Sequence, residues 1–164
     1  MNLRDYLVDS DAKGYALPHF NVSDLSALRA IVFAAKELNK PVMIGVSEGE
    51  RQFVGVKEIA ALVKAYREEL NLPIFLNADH THSLEGIKAA AEAGFDEVLF
   101  DGAKLPFEEN LRQTKEAVAI AKAINPEIIV EGELGYIGSS SEILKETPEG
   151  ASLNPEMFTK PEEA

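Results

Sequence analysis

Pro73-Ile74-Phe75-Leu76-Asn77-Ala78-Asp79-His80 is the stretch on which the fold turns. It is a mostly apolar run that ends in an acid and an imidazole. Apolar runs of this length fit parallel strands covered on both faces. The same design recurs upstream in Tyr15-Ala16-Leu17-Pro18-His19-Phe20-Asn21-Val22 and Pro41-Val42-Met43-Ile44-Gly45-Val46-Ser47. Downstream it recurs in Glu97-Val98-Leu99-Phe100-Asp101 and Glu127-Ile128-Ile129-Val130-Glu131-Gly132-Glu133.

Helical patterns fill the gaps. Leu3 to Ala12 forms a short amphipathic helix closed by Gly14, and Ser23 caps a helix over Asp24 to Asn39. In that second helix Leu25, Leu28, Ile31, Val32 and Ala35 keep the helical period. Val56 to Leu70, Leu84 to Ala93 (closed by Gly94) and a segment from Pro106, a natural first helical residue, to Ile124 complete the set. Strand and helix alternate at about 30 residues per unit, which predicts a parallel α/β sheet.

Two architectures compete, the doubly wound sheet and the TIM (β/α)8 barrel. Every strand here carries a polar residue at its C-terminal end: Asn21, Ser47, Asp79 with His80, Asp101 and Glu133. Barrels collect chemistry from many strand ends, whereas open sheets concentrate it at one switch point. No Gly-x-Gly-x-x-Gly follows the first strand and no Walker-type loop occurs anywhere. The 164 residues are too few for a closed barrel, which takes roughly 200 or more. The expectation is a single incomplete domain over residues 1–164, holding the first four to five βα units of a barrel. After Glu133 the pattern dissolves into Gly135, Gly138, Ser139 to Ser141, Pro148 and Gly150. Residues 134–160 are expected to be a mobile active-site loop. Pro161-Glu162-Glu163-Ala164 reads as the opening of another helix, so the chain is expected to be a piece of a longer one.

Composition narrows the partners. The net charge of −12, from 28 acidic and 16 basic residues, repels nucleic acid and anionic membranes. A phosphorylated ligand would need local donors such as backbone N–H groups or a metal. There is no cysteine, no secretory signal at the start and no membrane-spanning run, which predicts a cytoplasmic protein.

Asp79-His80 is the chemical centre of the sequence. The imidazole is a good zinc ligand and the carboxylate a proton donor or acceptor. Successive strand residues face opposite ways, so both reach one site only where the strand has ended. The competing role is an Asp capping the next helix beside a surface His. His82 does not complete a metal site by itself, and His19 is expected to be a satisfied core imidazole. Asp101 and Glu133 end apolar strands, where a carboxylate is costly unless a cation or donor meets it. A helix cap and a solvated loop are their alternatives. Glu131, on the same strand face as Glu133, is either a second member or an interior charge.

Five ordered motifs carry a resemblance. Phe20-Asn21-Val22, Val46-Ser47-Glu48-Gly49, Asn77-Ala78-Asp79-His80, Phe100-Asp101-Gly102 with Leu105-Pro106-Phe107-Glu108-Glu109-Asn110, and Glu131-Gly132-Glu133-Leu134-Gly135 are similar to the strand-end motifs of class II fructose-bisphosphate and tagatose-bisphosphate aldolases. The resemblance implies zinc-dependent, reversible cleavage of a ketose bisphosphate, without a Schiff-base lysine. His80 would be a zinc ligand, and Asp79 would move the proton of the C4 hydroxyl. Asp101 and Glu133 would lie at a second or alternative metal position, while Asn21 and Ser47 would face the substrate. The remaining zinc ligands and the phosphate-binding segments are expected beyond Ala164, and Glu142 is the candidate for a loop acid. Zinc would act as a Lewis acid on dihydroxyacetone phosphate. The partners implied are a phosphorylated sugar and further copies of the chain, as a homodimer or tetramer. Fructose and tagatose substrates both stay open. A different class of reading is a non-catalytic, self-associating half barrel, since such a fragment has two open edges and a bare interior.

Overall fold

The computed structural model of the chain describes residues 1–135, 159–162 and 164. Its elements alternate as the apolar runs require: α1 (Leu3–Lys13), β1 (His19–Asn21), α2 (Leu25–Leu38), β2 (Val42–Val46), α3 (Glu48–Val54), α4 (Val56–Leu70), β3 (Ile74–Thr81), α5 (Leu84–Ala93), β4 (Glu97–Phe100), α6 (Phe107–Ile124) and β5 (Ile129–Gly132).

Local chemistry sets the helix ends. Asn2 and Asp5 close a capping box at the start of α1, and Gly14 ends it in the left-handed region at φ 69°. Two expected caps move by one residue. Asp24, not Ser23, caps α2, because its carboxylate accepts the Ala27 N–H at 2.9 Å. Pro106 is the extended cap of α6 instead of its first helical residue. The helix α3 lies inside what reads from sequence as a loop. Its start is a capping box between Ser47 and Glu50.

The five strands form one parallel sheet in the order β1-β2-β3-β4-β5. Sequential order with no switch point is the topology of a barrel wall, not of a doubly wound sheet. Alternation divides each strand between two faces. Ile44, Ile74, Leu76, Ala78, Val98 and Phe100 point outward into a core shared with Leu28, Val32, Ile59, Val63, Ile87 and Ala117 of the helices. Each fully buried Ile or Leu contributes roughly 1.5–3 kcal/mol. Met43 and Phe75 point to the concave side, where α1 brings Leu3, Tyr6 and Leu7 against them. The Tyr6 and Phe75 rings meet at 5.3 Å. The helix α1 thus plugs the bottom of the half barrel and leaves the strand C-termini free. Outside, Arg67 of α4 pairs with Asp96 at 2.5 Å while Asp96 accepts the Leu76 N–H, so one ion pair ties α4, β3 and β4 together.

β1 is exposed along its whole length, and Glu131 and Gly132 of β5 are exposed too. These are the two edges of an open wall. Among the described residues no helix is long and apolar enough to cross a membrane. Pro161 and Glu162 sit in a turn, and Thr159 Oγ1 donates to the Leu134 carbonyl at 2.7 Å. Most of the anticipated loop, including Glu142, lies outside the described residues.

Candidate active site and metal centre

The strand β3 passes through Asp79-His80, so the end of the strand is not what lets both residues share one site. It runs on to Thr81, and a bulge delivers both residues to the same side. Ala78 pairs with Val98 and Thr81 with Phe100, so three steps on β3 match two on β4. His80 takes up the extra residue at φ 41°, in the left-handed region. That conformation costs a non-glycine residue roughly 1–2 kcal/mol.

The bulge puts His80 among carboxylates. Its Nδ1 lies 3.0 Å from Asp101 Oδ2 and 3.2 Å from Glu133 Oε2, and its Nε2 lies 3.8 Å from Asp79 Oδ1. With its proton on Nδ1, the imidazole donates to Asp101. Among the described residues Glu133 Oε2 is buried with no hydrogen-bond partner. An orphaned buried carboxylate oxygen is what a cation would satisfy. One ligand atom each from His80, Asp101 and Glu133 fall within 4.8 Å of one another, so the donors present fit a divalent metal. From sequence, His80 and the two acids were assigned to separate metal positions; here they form one cluster.

Supporting contacts hold this cluster. Asp101 Oδ1 accepts the Ala103 N–H at 3.1 Å. Asn110, from α6, donates to the Glu133 carbonyl at 2.7 Å and accepts from Thr114. Gly102 makes room for that asparagine, since a Cβ there would meet Asn110 Oδ1 at 2.2 Å. His82 reaches within 3.6 Å of Asp101 but stays half exposed.

Asp79 is held from the other side. Asn21 donates to its Oδ2 at 2.8 Å and to Glu50 Oε2 at 3.3 Å. Ser47, expected to face a substrate, spends its hydroxyl on capping α3: it accepts the Glu50 N–H at 3.4 Å, while Glu50 accepts the Ser47 N–H at 2.6 Å. Ser47 still borders a cavity of about 450 Å³ with Glu48, Glu50, Gln52, His80 and His82. His19 is not a core imidazole. It sits exposed on the edge strand β1, its ring lying over Gly45, where a Cβ would meet Nε2 at 2.2 Å.

Charges crowd the site. Burial pulls His80 down, but the Asp101 hydrogen bond and the charges of Asp79, Glu133 and Asp101 outweigh it, so its pKa is raised. Burial and the Asp101 charge raise Glu133, with His80 opposing. Two residues to which the sequence reading gave no role in the site matter here. Glu97 is only 7% exposed, and burial, then the charges of Glu131, Asp79 and Asp96, push its carboxyl up to about 7. It is the sheet neighbour of Asn77, itself 2% exposed with Oδ1 unpartnered among the described residues. Arg51 is 4% exposed and bonds to β2 and β3. The even spacing of Glu97 from Asp101, four residues on and therefore on the same strand face, was a visible sign of the first. The second required α3.

The chain is similar to known proteins. The family described as fructose-bisphosphate aldolase class-II matches residues 1–164. The fructose-bisphosphate aldolase of Geobacillus stearothermophilus is 37% identical over 145 residues, 87% of this chain and 50% of that protein. The Staphylococcus aureus (strain Mu50) fructose-bisphosphate aldolase is 35% identical over the same shares. The crystal structure of the YdjI aldolase from Escherichia coli K12 matches with a TM-score of 0.78 and 28% identity, over 99% of this chain and 57% of that one. The Campylobacter jejuni fructose-bisphosphate aldolase, 24% identical, has the same fold at a TM-score of 0.78, over 98% of this chain and 51% of that one. The chain spans about half the length of the curated relatives it matches.

Proposed function

The chain belongs to the class II fructose-bisphosphate aldolase family, and from that premise we propose that the full-length protein cleaves fructose 1,6-bisphosphate reversibly to dihydroxyacetone phosphate and glyceraldehyde 3-phosphate. It would serve glycolysis and gluconeogenesis in the cytoplasm as a homodimer or tetramer. The observation that carries the reading is the convergence of Asp79, His80, Asp101 and Glu133 from three consecutive strands.

In this proposal His80, with Asp101 and Glu133, would hold zinc, and further ligands would come from outside the chain. When bound, zinc supplies Lewis-acid polarisation of a carbonyl oxygen. Asp79 accepts the C4 hydroxyl proton in cleavage and returns it in condensation. Asn21 fixes the Asp79 carboxylate at 2.8 Å, so its free oxygen has a set direction. Ser47 and Asn21 would line the path of the phosphorylated sugar. The curated relatives named fructose-bisphosphate aldolase favour the fructose over the tagatose substrate.

Replacing Asp79 by Ala tests the assignment. Loss of proton transfer by a positioned group lowers kcat by roughly 10²–10⁴-fold, with zinc content unchanged. An Asp79→Ala protein that keeps wild-type kcat would remove Asp79 from the mechanism.

A further inference from the structure

We propose that Arg51 is a positioning residue whose guanidinium fastens the β3 bulge and so sets the pose of Asp79 and His80. The proposal rests on the functional reading above and extends it to a side chain that meets the site only through the Asp79 backbone carbonyl.

Arg51 is an unusual residue to bury. At 4% exposure its charge loses most of its hydration, and burial pulls its pKa down against the opposing charges of Glu48, Asp79 and Glu50. Burying an ion costs several kcal/mol unless geometry compensates. The compensation here is not a bonded carboxylate. Nη1 donates to the Val46 carbonyl and to the Asp79 carbonyl, the latter at 2.9 Å, and Nη2 donates to Thr81 Oγ1 at 2.7 Å. Thr81 is fully buried.

The three acceptors define what the brace does. Asp79 and Thr81 flank His80, the residue at φ 41°. Val46 is the last residue of the neighbouring strand β2. One planar fork therefore pins both ends of the extra residue and ties them to β2. A fixed fork of donors suits this job, whereas a lysine ammonium is a single point charge on a flexible stem. An apolar residue of similar volume would pack at less electrostatic cost but would leave the Asp79 carbonyl and the Thr81 hydroxyl without this donor. The bulge could then relax towards ordinary strand geometry. In an ordinary strand successive side chains alternate, and His80 would turn away from Asp101 and Glu133.

The test compares the full-length wild-type protein with Arg51→Lys and Arg51→Met. Zinc affinity is measured by competition with a chelator, and kcat and KM with fructose 1,6-bisphosphate. Both variants are expected to weaken zinc binding and lower kcat by roughly 10–100-fold, the usual effect of losing a group that orients a ligand. KM should change far less, because Arg51 does not line the cavity beside His80. Arg51→Lys should not rescue. A folded Arg51→Lys protein with wild-type zinc affinity and kcat overturns the proposal, as does Arg51→Met with both intact. If Arg51→Met fails to fold, the lysine variant alone decides. A wild-type protein that binds zinc without cleaving the sugar refutes the functional reading, while the zinc comparison still judges Arg51. A wild-type protein with no zinc affinity overturns both.

Discussion

Replacing Glu97 by Gln is expected to make the full-length protein more stable, and only above mildly acidic pH. Glu97 lies buried on the concave face of β4 beside Asn77, with Glu131, Asp79 and Asp96 adding negative charge. Its carboxyl is raised from 4.5 to about 7 by burial first and those charges second. Below about 4.5 both the folded and unfolded chains hold the proton, so burial carries no ionisation penalty. Between 4.5 and about 7 the folded state keeps a proton that the unfolded state has released, and stability falls as pH rises. Above about 7 the full penalty is present. At roughly 1.4 kcal/mol per pH unit this amounts to about 3 kcal/mol. Glutamine keeps the shape and cannot ionise. Thermal unfolding of both proteins from pH 5 to 8.5 reads the difference. A domain of this size melts roughly 2–4 °C higher per kcal/mol, so the gap should open from near zero to as much as roughly 6–12 °C. An amide N–H reaching Asn77 Oδ1 would add an offset, but a pH-independent one. A gap that stays constant across the range, or that closes as pH rises, would refute the buried-acid reasoning.

Two glycine substitutions probe the supports of the site. Gly102→Ala puts a Cβ 2.2 Å from Oδ1 of the buried Asn110, which holds the Glu133 backbone; zinc affinity should drop roughly tenfold or more in a chelator competition, and thermal unfolding should show a loss of roughly 1–3 kcal/mol. Gly45→Ala collides with His19 and with Asn21, the residue that holds Asp79. It should cost roughly 1–3 kcal/mol by overpacking, and thermal unfolding of the Gly45→Ala, His19→Ala double variant should recover part of it.

The elements were legible wherever burial was two-sided. Val42–Val46 and Ile74–Thr81 are covered on both faces, so their apolar runs marked them within a residue. The short α3 carries no long apolar period to betray it. Its one sign was the Ser47 to Glu50 spacing of a capping box, which was read only as a strand end with a substrate role. Asp79, His80, Asp101 and Glu133 stand out as candidates because acids and imidazoles are out of place at the ends of apolar strands. Their union in one cluster depends on the bulge at His80, and no glycine marks that left-handed turn. His19 was misplaced because β1 is an edge, which only the pairing reveals. The depth of Glu97 likewise comes from its register against Asn77 and not from its own position in the chain.

The central claim is that these strand ends form the metal-dependent centre of a sugar-bisphosphate aldolase. Its most direct test is the cleavage of fructose 1,6-bisphosphate by the full-length protein before chelation, after complete removal of divalent metal, and after zinc is restored. The account predicts that activity falls to background on removal and returns with zinc. Cleavage that continues undiminished in the metal-free protein would contradict it.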